Sequence, residues 1–171
     1  LNGLLLYSGN DNAVAIADHI AGSTEKFAEM MNAEAKKLMA TNSHFVNPSG
    51  LHDDNHYTTA YDLYLIFNEC IKHDDFVKII NSSSYTAHIT GADGTKRDVK
   101  WEPTNYYAKG EATPPDNVTI IGGKTGTTKG AGNCLILLTK DSSGNSYISI
   151  IMGAGSKPLL YQDMTSMLSK I

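Results

Sequence analysis

The stretch Gly122–Thr127, which reads Gly-Gly-Lys-Thr-Gly-Thr, directly follows the largely β-branched run Val118–Ile121. β-Branched residues favour strands, so this run predicts a β-strand that ends in the polar stretch. Gly126 has no side chain, and a second backbone could therefore approach closely and pair as an added strand. The Lys124 ammonium would hold an anionic group or tune a neighbouring hydroxyl, and Thr125 would bind a terminal carboxylate. A plain polar strand end is the alternative interpretation.

A second polar stretch, Ser8-Gly9-Asn10, lies at a glycine break between two apolar helical patterns. Acyl transfer from a peptide or a lactam needs a nucleophile, groups that move protons, and donors for the oxyanion. Serine enzymes that react with penicillin carry Ser-x-x-Lys, then Ser-x-Asn or a variant, then Lys-Thr-Gly, in this order. The chain contains the second and third of these motifs. An ordinary helix cap at Ser8 and Asn10 is the competing interpretation.

The first motif has one literal match, Ser23-Thr24-Glu25-Lys26. This match follows Ser8 instead of preceding it, and it stands where a helix cap is expected. We therefore identify no nucleophile in this chain. A phosphate-binding loop ending in Gly123-Lys124-Thr125 is also excluded, because such a loop needs glycine where the chain has Val118.

Length and composition indicate one structural unit, residues 1–171. The chain is 41% hydrophobic, enough for a sizeable core, and its 14 Lys and Arg residues form no basic cluster, which argues against nucleic acid as a partner. No apolar run approaches the roughly 20 residues that span a bilayer. The loop histidines His44, His52 and His56 match no zinc pattern, so we expect no metal and no cofactor. Cys70 and Cys134 are interpreted as buried thiols.

Hydrophobic periodicity divides the chain into a mainly helical part, residues 1–81, and a part of mainly antiparallel sheet, residues 82–171, that ends in a helix. The clearest helical segment is Leu63–Ile71, with Thr59 and Asp62 as a capping box in front of it. The predicted strands and closing helix are Tyr85–Ile89, Arg97–Trp101, Val118–Lys124, Cys134–Thr139, Tyr147–Met152 and Leu159–Leu168. The sequence thus predicts a mixed α/β fold.

Three stretches resemble the D-alanyl-D-alanine carboxypeptidases of the low-molecular-mass penicillin-binding protein group, serine peptidase family S11. They are Leu4–Gly22 (LLLYSGNDNAVAIADHIAG), His44–His52 (HFVNPSGLH) and Gly122–Leu135 (GGKTGTTKGAGNCL). The resemblance implies a partial β-lactamase-like, transpeptidase-like fold, with this chain as the C-terminal part of the catalytic domain. It also implies a serine-type reaction that removes the terminal D-alanine of peptidoglycan stem peptides through an acyl-enzyme.

The resemblance assigns roles to individual residues. The catalytic set would be Ser8, Asn10 and Lys124, and the substrate-binding set would be Thr125, Gly126 and Thr127. The Ser8 hydroxyl would move a proton, the Asn10 amide would position the substrate, and the backbone N–H of Thr127 would help to form the oxyanion hole. Many relatives carry histidine at the place of Thr127 and a basic residue later in the sheet. The corresponding stretch here, Met152–Ser156, has no arginine.

The resemblance also predicts partners and a location. The parent protein would act on stem peptides ending in D-Ala-D-Ala, bind β-lactams, and lie in the bacterial envelope outside the cytoplasmic membrane. Because the family's Ser-x-x-Lys segment precedes the region matched here, we expect this chain alone to be inactive. We also expect uncovered apolar faces at Leu4–Leu6 and Cys134–Met152, and hence self-association or a bound upstream fragment. A β-lactamase-like hydrolase and a non-catalytic peptidoglycan-peptide-binding module are the alternatives.

Overall fold

Helices make up the first part of the chain, and antiparallel strands make up most of the second. A computed structural model describes residues 1–171. The first helices are α1 (Asn2–Leu5), α2 (Asn10–Ala21), α3 (Thr24–Lys37), α4 (Ala60–Cys70) and α5 (Asp74–Ile80). They are followed by β1 (Tyr85–Thr90), β2 (Lys96–Trp101), α6 (Tyr106–Lys109), β3 (Val118–Thr128), β4 (Gly132–Asp141), β5 (Ser146–Ala154) and α7 (Lys157–Leu168). The mixed α/β prediction is confirmed. The sequence did not predict α5 and α6, because these short helices have too few turns to show a periodic apolar stripe.

Side-chain caps start two of the helices at the predicted places. The Ser23 hydroxyl accepts a hydrogen bond from the Lys26 N–H at 3.2 Å, which confirms that Ser23-x-x-Lys26 is a helix cap. The Thr59 hydroxyl likewise accepts from the Asp62 N–H at 3.1 Å. The predicted capping box is only half present, because the buried Asp62 carboxylate accepts hydrogen bonds from the loop at residues 42 and 43 instead.

The three longest strands form one antiparallel sheet in the order β3-β4-β5, and β1 and β2 form a separate hairpin. Side chains of β4 alternate between two faces, so the buried Leu135 and Leu137 lie on one face and Leu138 on the other. The first face packs against α7 through Met164 and Leu168, which are fully buried. The second face packs against α4 and α5. The strand order leaves β3 at one edge of the sheet.

Two glycines let β3 lie close to its neighbours. A Cβ atom on Gly122 would be 2.3 Å from the backbone oxygen of Ile80, and one on Gly123 would be 2.0 Å from that of Ile136. The register between β3 and β4 also shifts between Ile120 and Gly122. The strand continues to Thr128, beyond the predicted end at 124, because pairing with β4 extends through the polar stretch.

Several expectations about exposed and buried residues need correction. Leu6 is 2% exposed, and Leu4 and Leu5 are half-buried, so the start of the chain does not present the uncovered apolar face that we expected. In the 134–152 hairpin three leucines of β4 are buried, whereas Ile136 and Ile150 are half-buried and Tyr147 and Met152 stay 37% and 38% exposed. Cys70 and Cys134 are half-buried instead of buried.

None of the helices is both long and apolar enough to span a membrane.

Candidate active site

The two polar stretches meet through Ser8 and Lys124, which are 116 positions apart in the sequence. The Lys124 ammonium donates a hydrogen bond to the Ser8 hydroxyl at 2.5 Å and another to the Thr125 carbonyl at 2.9 Å. Ser8 lies in the turn between α1 and α2 and has a φ of 65°, a left-handed conformation that is uncommon outside glycine. The Ser8 side chain is exposed, whereas Lys124 is half-buried at the middle of β3. The fold therefore presents a hydroxyl in direct contact with a partly desolvated amine.

Burial lowers the pKa of Lys124 from its ordinary value of 10.5 to about 8. Desolvation disfavours the charged ammonium, and no carboxylate lies within 4.0 Å of it to offset that cost. A lysine with a pKa near 8 is mostly protonated at neutral pH but releases its proton readily. It can therefore both donate a proton to Ser8 and recover one.

A cavity of about 520 Å³ opens beside this pair. One wall consists of Ser8, Asn10 and the β3 segment from Lys124 to Thr128, and the opposite wall includes the loop from Phe45 to Leu51. Asn47 fixes that loop, because its side chain accepts from the N–H groups of residues 49 and 50 and donates to the carbonyl of residue 51. The HFVNPSGLH stretch thus lines the candidate site. We had not predicted that it would lie there.

A second, smaller cavity of about 210 Å³ lies along the rest of the Lys-Thr-Gly segment. Its lining includes Ser8, Thr125, Gly126 and Thr127, together with residues that sequence reasoning missed. The missed residues are Thr104, Tyr106, Cys134, Lys157, Leu160 and Tyr161. They come from the loop before α6, from the start of α6, from β4 and from α7, and no local motif marks them.

Gly126 differs from the glycines that precede it in β3. A Cβ atom there would meet no other atom within 4 Å. The face of β3 at Gly126 therefore has free space, and the strand order leaves β3 at an edge of the sheet, where an added strand could pair.

Most of the other sequence candidates line neither of these two cavities. Ser23 and Lys26 line neither of them. The His44 ring bonds the Asn55 carbonyl at 2.6 Å, and the structure contains no group of three or more His, Cys, Asp or Glu side chains that could hold a metal ion. His56 does line the larger cavity, and its Nδ1 accepts from the Val46 N–H at 3.2 Å.

The lowered pKa of Lys124 predicts how stability changes with pH. Between about 8 and 10.5 the unfolded chain binds this proton and the folded chain does not. The free energy of unfolding should therefore rise with pH across this window. We expect the rise to be smaller in Lys124→Met, measured by urea denaturation at several pH values. Lys129→Met, an exposed lysine just beyond the motif, serves as the control, and an equal rise in wild type and Lys124→Met would contradict the prediction.

Comparison with known sequences identifies the family. The profile of Peptidase S11, described as D-alanyl-D-alanine carboxypeptidase, matches residues 1–156. The chain belongs to this family. It is 31% identical to the D-alanyl-D-alanine carboxypeptidase DacF of Bacillus subtilis over 98% of this chain and 40% of that protein. It is 34% identical to DacD of Escherichia coli over 90% of this chain and 36% of that protein.

Solved structures of D-alanyl-D-alanine carboxypeptidases and their relatives share the fold. The Streptomyces K15 DD-transpeptidase superposes with a TM-score of 0.88 and 30% identity over 99% of this chain and 64% of that one. The D-alanyl-D-alanine carboxypeptidase of Mycobacterium tuberculosis gives a TM-score of 0.78 and 28% identity over 98% of this chain and 61% of that one. By contrast, the chain spans only about 40% or less of the length of the two curated relatives named above, DacF and DacD.

Proposed function

We propose that this chain carries one side of the active site of a serine-type D-alanyl-D-alanine carboxypeptidase. The substrate would be a peptidoglycan stem peptide ending in D-Ala-D-Ala, and the reaction would release the terminal D-alanine through an acyl-enzyme. The observation that carries the proposal is the 2.5 Å contact between Lys124 and Ser8, which joins the second and third motifs in one cleft.

The nucleophilic serine would come from residues outside this chain. The only hydroxyl of the chain that accepts a hydrogen bond from Lys124 is that of Ser8, and the Ser23 hydroxyl caps α3. Ser8 follows the family's second motif, for which proton transfer is the implied role. We therefore assign the nucleophile to a Ser-x-x-Lys segment, and we take residues 1–171 as the C-terminal part of the catalytic domain.

The geometry suggests how the peptide would bind. The stem peptide would lie along the free edge of β3 as an added strand, where Gly126 leaves open space. The Asn10 amide, which lines the same cavity, would hold the peptide backbone. Thr125 would bind the terminal carboxylate of the peptide.

The chemical steps follow from the same contacts. The nucleophile would attack the carbonyl of the penultimate D-alanine, and the backbone N–H of Thr127 would stabilise the oxyanion by about 3 kcal/mol. The lysine of the Ser-x-x-Lys segment would accept the proton that the nucleophilic hydroxyl loses. Ser8 would pass its own proton to the leaving amine nitrogen, the Lys124 ammonium would donate to Ser8 in turn, and the proton taken from the nucleophile would restore Lys124. Water would then release the acyl group from the nucleophile.

The proposed substrate implies where the protein acts and which other molecules bind in its cleft. Peptidoglycan lies outside the cytoplasmic membrane, so the protein would act in the bacterial envelope. β-Lactams would enter the same cleft and acylate the same nucleophile.

The half-buried face around Ile136 and Ile150 lines a further apolar cavity of about 200 Å³, which an upstream segment or a second copy would cover.

The proposal predicts two results in parallel. The protein with its nucleophile segment should release D-alanine from a peptide ending in D-Ala-D-Ala and not from the L-Ala-L-Ala analogue. The 171-residue chain alone should show no penicillin adduct in intact-mass spectrometry, because no hydroxyl in it is the activated nucleophile.

Each alternative would give its own outcome. Stereoselective peptide binding without D-alanine release would favour the binding module. Rapid turnover of penicillin would favour a β-lactamase-like hydrolase. A stoichiometric penicillin adduct on Ser8 or Ser23 of the chain alone would show that we assigned the nucleophile to the wrong segment.

A further inference from the structure

The backbone at Ser8 needs support from its neighbours. Ser8 has a φ of 65°, and Met39 is the only other residue apart from glycines with a positive φ. A left-handed backbone costs free energy in a residue that has a side chain, so it persists only where surrounding contacts hold it. After Ser8, the Gly9 N–H donates to the Gly3 carbonyl at 3.0 Å and closes the turn. Before Ser8, the contact that holds the turn comes from the side chain of Tyr7.

Tyr7 stacks on a residue of the β1–β2 hairpin. The centroid of its ring lies 6.5 Å from that of Trp101, and the two ring planes differ by 23°. Trp101 stacks in turn on Tyr85, its partner in the β1–β2 register, with centroids 5.9 Å apart and planes that differ by 17°. Stacked aromatic rings at these distances attract each other beyond the effect of burial alone. Three rings in a row thus connect the Ser8 turn to the hairpin.

Trp101 stands on a backbone that is itself anchored. Asn105 is 4% exposed and caps α6 by accepting from the Tyr107 N–H at 3.1 Å. Thr104, the residue before it, has its hydroxyl 2.5 Å from that of Thr125 on β3. The chain that leaves β2 is therefore tied to α6 and to β3, and Tyr7 packs against a ring with a fixed position.

The aromatic stack acts on Ser8 and not on a ligand. Tyr7 is 55% exposed, so the core does not fix its ring, and neither Tyr7 nor Trp101 lines the 520 Å³ or the 210 Å³ cavity. A peptide bond joins Tyr7 to Ser8, so a shift of Tyr7 moves the Ser8 backbone. The Ser8 hydroxyl accepts from the Lys124 ammonium at 2.5 Å, and a displacement of about 1 Å would break this hydrogen bond.

We propose that Trp101 is a positioning residue that acts through Tyr7, and that the aromatic stack holds the Ser8 hydroxyl at hydrogen-bonding distance from Lys124. Trp101 itself takes no part in the reaction. The β1–β2 hairpin, which contains none of the three family motifs, thereby determines the geometry of the second motif. This inference rests on the proposed function, since it explains how Ser8 is placed for the proton transfer assigned to it.

The first test measures the rate of acylation by penicillin in the protein that carries the nucleophile. Trp101→Leu removes the stacked ring and should lower this rate about tenfold, because a misplaced Ser8 passes its proton less efficiently. Trp101→Phe retains an aromatic ring and should keep most of the rate. Tyr64→Leu is the control, because Tyr64 pairs with Tyr61 within α4 and is exposed to a similar degree as Tyr85, and it should behave as wild type.

A double substitution separates positioning from a merely structural role. In a Ser8→Ala background the hydroxyl is absent, so adding Trp101→Leu should cause no further loss of acylation rate. An equal tenfold loss in both backgrounds would mean that Trp101 only stabilises the fold, and the inference would be wrong. Tyr7→Leu breaks the stack without altering the hairpin, and it should reproduce the loss seen in Trp101→Leu. A wild-type rate in Tyr7→Leu would also refute the inference.

Nuclear magnetic resonance tests the position of Ser8 independently of activity. The Lys124 ammonium donates to the Ser8 hydroxyl and to the Thr125 carbonyl, so its protons should exchange slowly with water at mildly acidic pH. Exchange should become about fivefold faster in Trp101→Leu and Tyr7→Leu, which loosen one of these hydrogen bonds, and should stay slow in Trp101→Phe. Unchanged exchange in the two leucine variants would overturn the inference. Faster exchange in them, in a protein whose wild type penicillin does not acylate, would support the role of Trp101 and refute the proposed function.

Discussion

Replacing Gly123 by alanine should destabilise the fold by about 3 kcal/mol or more. The new Cβ would lie 2.0 Å from the Ile136 carbonyl oxygen and 2.8 Å from Cδ2 of Leu137. The first of these atoms belongs to the backbone of β4, the central strand, which cannot move aside because α7 covers one face and α4 and α5 cover the other. Urea or thermal unfolding of the 171-residue chain measures this change.

Gly126→Ala is the matched control for that result. Its Cβ would meet nothing within 4 Å, so we expect its free energy of unfolding to stay within about 1 kcal/mol of the wild-type value. The two glycines lie in the same strand three residues apart, and they should differ because one faces packed backbone and the other faces the open cleft. Similar destabilisation by both substitutions would contradict this account.

Removing the Lys124 amine should lower the rate of acylation by penicillin at least about tenfold, or about 1.4 kcal/mol, in the protein that carries the nucleophile. The substitution Lys124→Ala removes the cation that donates to Ser8 and the group that would return a proton to it. Stopped-flow or mass-spectrometric acylation kinetics measure the rate. A pH series should also show that the wild-type rate falls on the alkaline side below the ordinary lysine pKa of 10.5, because burial lowers the pKa of Lys124.

Two further measurements identify the cause of such a loss. Lys129→Ala changes an exposed lysine five residues away and should leave the acylation rate unchanged. The free energy of unfolding of Lys124→Ala should not fall, because the buried ammonium costs desolvation energy in the folded state. An unchanged acylation rate in Lys124→Ala would mean that the Lys-Thr-Gly stretch is only a polar strand end without a role in the reaction.

Local sequence determined the main helices and strands of this protein and the order of its motifs. The apolar spacing of Leu63–Ile71 predicted α4, and the hydroxyls of Ser23 and Thr59 marked the starts of two helices. These predictions succeed because a helix face and a helix cap depend on residues within one or two turns of each other. The same reasoning found Ser8-Gly9-Asn10 and Gly122–Thr127, since each motif is contiguous.

Only the tertiary structure decided which of these groups meet. The contact of Lys124 with Ser8 and that of Thr104 with Thr125 join residues that are 116 and 21 positions apart. Their distances are set by how α7, α4 and α5 pack on the sheet and by the glycines that let β3 approach β4. Packing of this kind is a sum of many contacts between distant segments, so no local pattern encodes it. The pKa of Lys124 depends on the burial that this packing produces, and it too could not be predicted from the sequence.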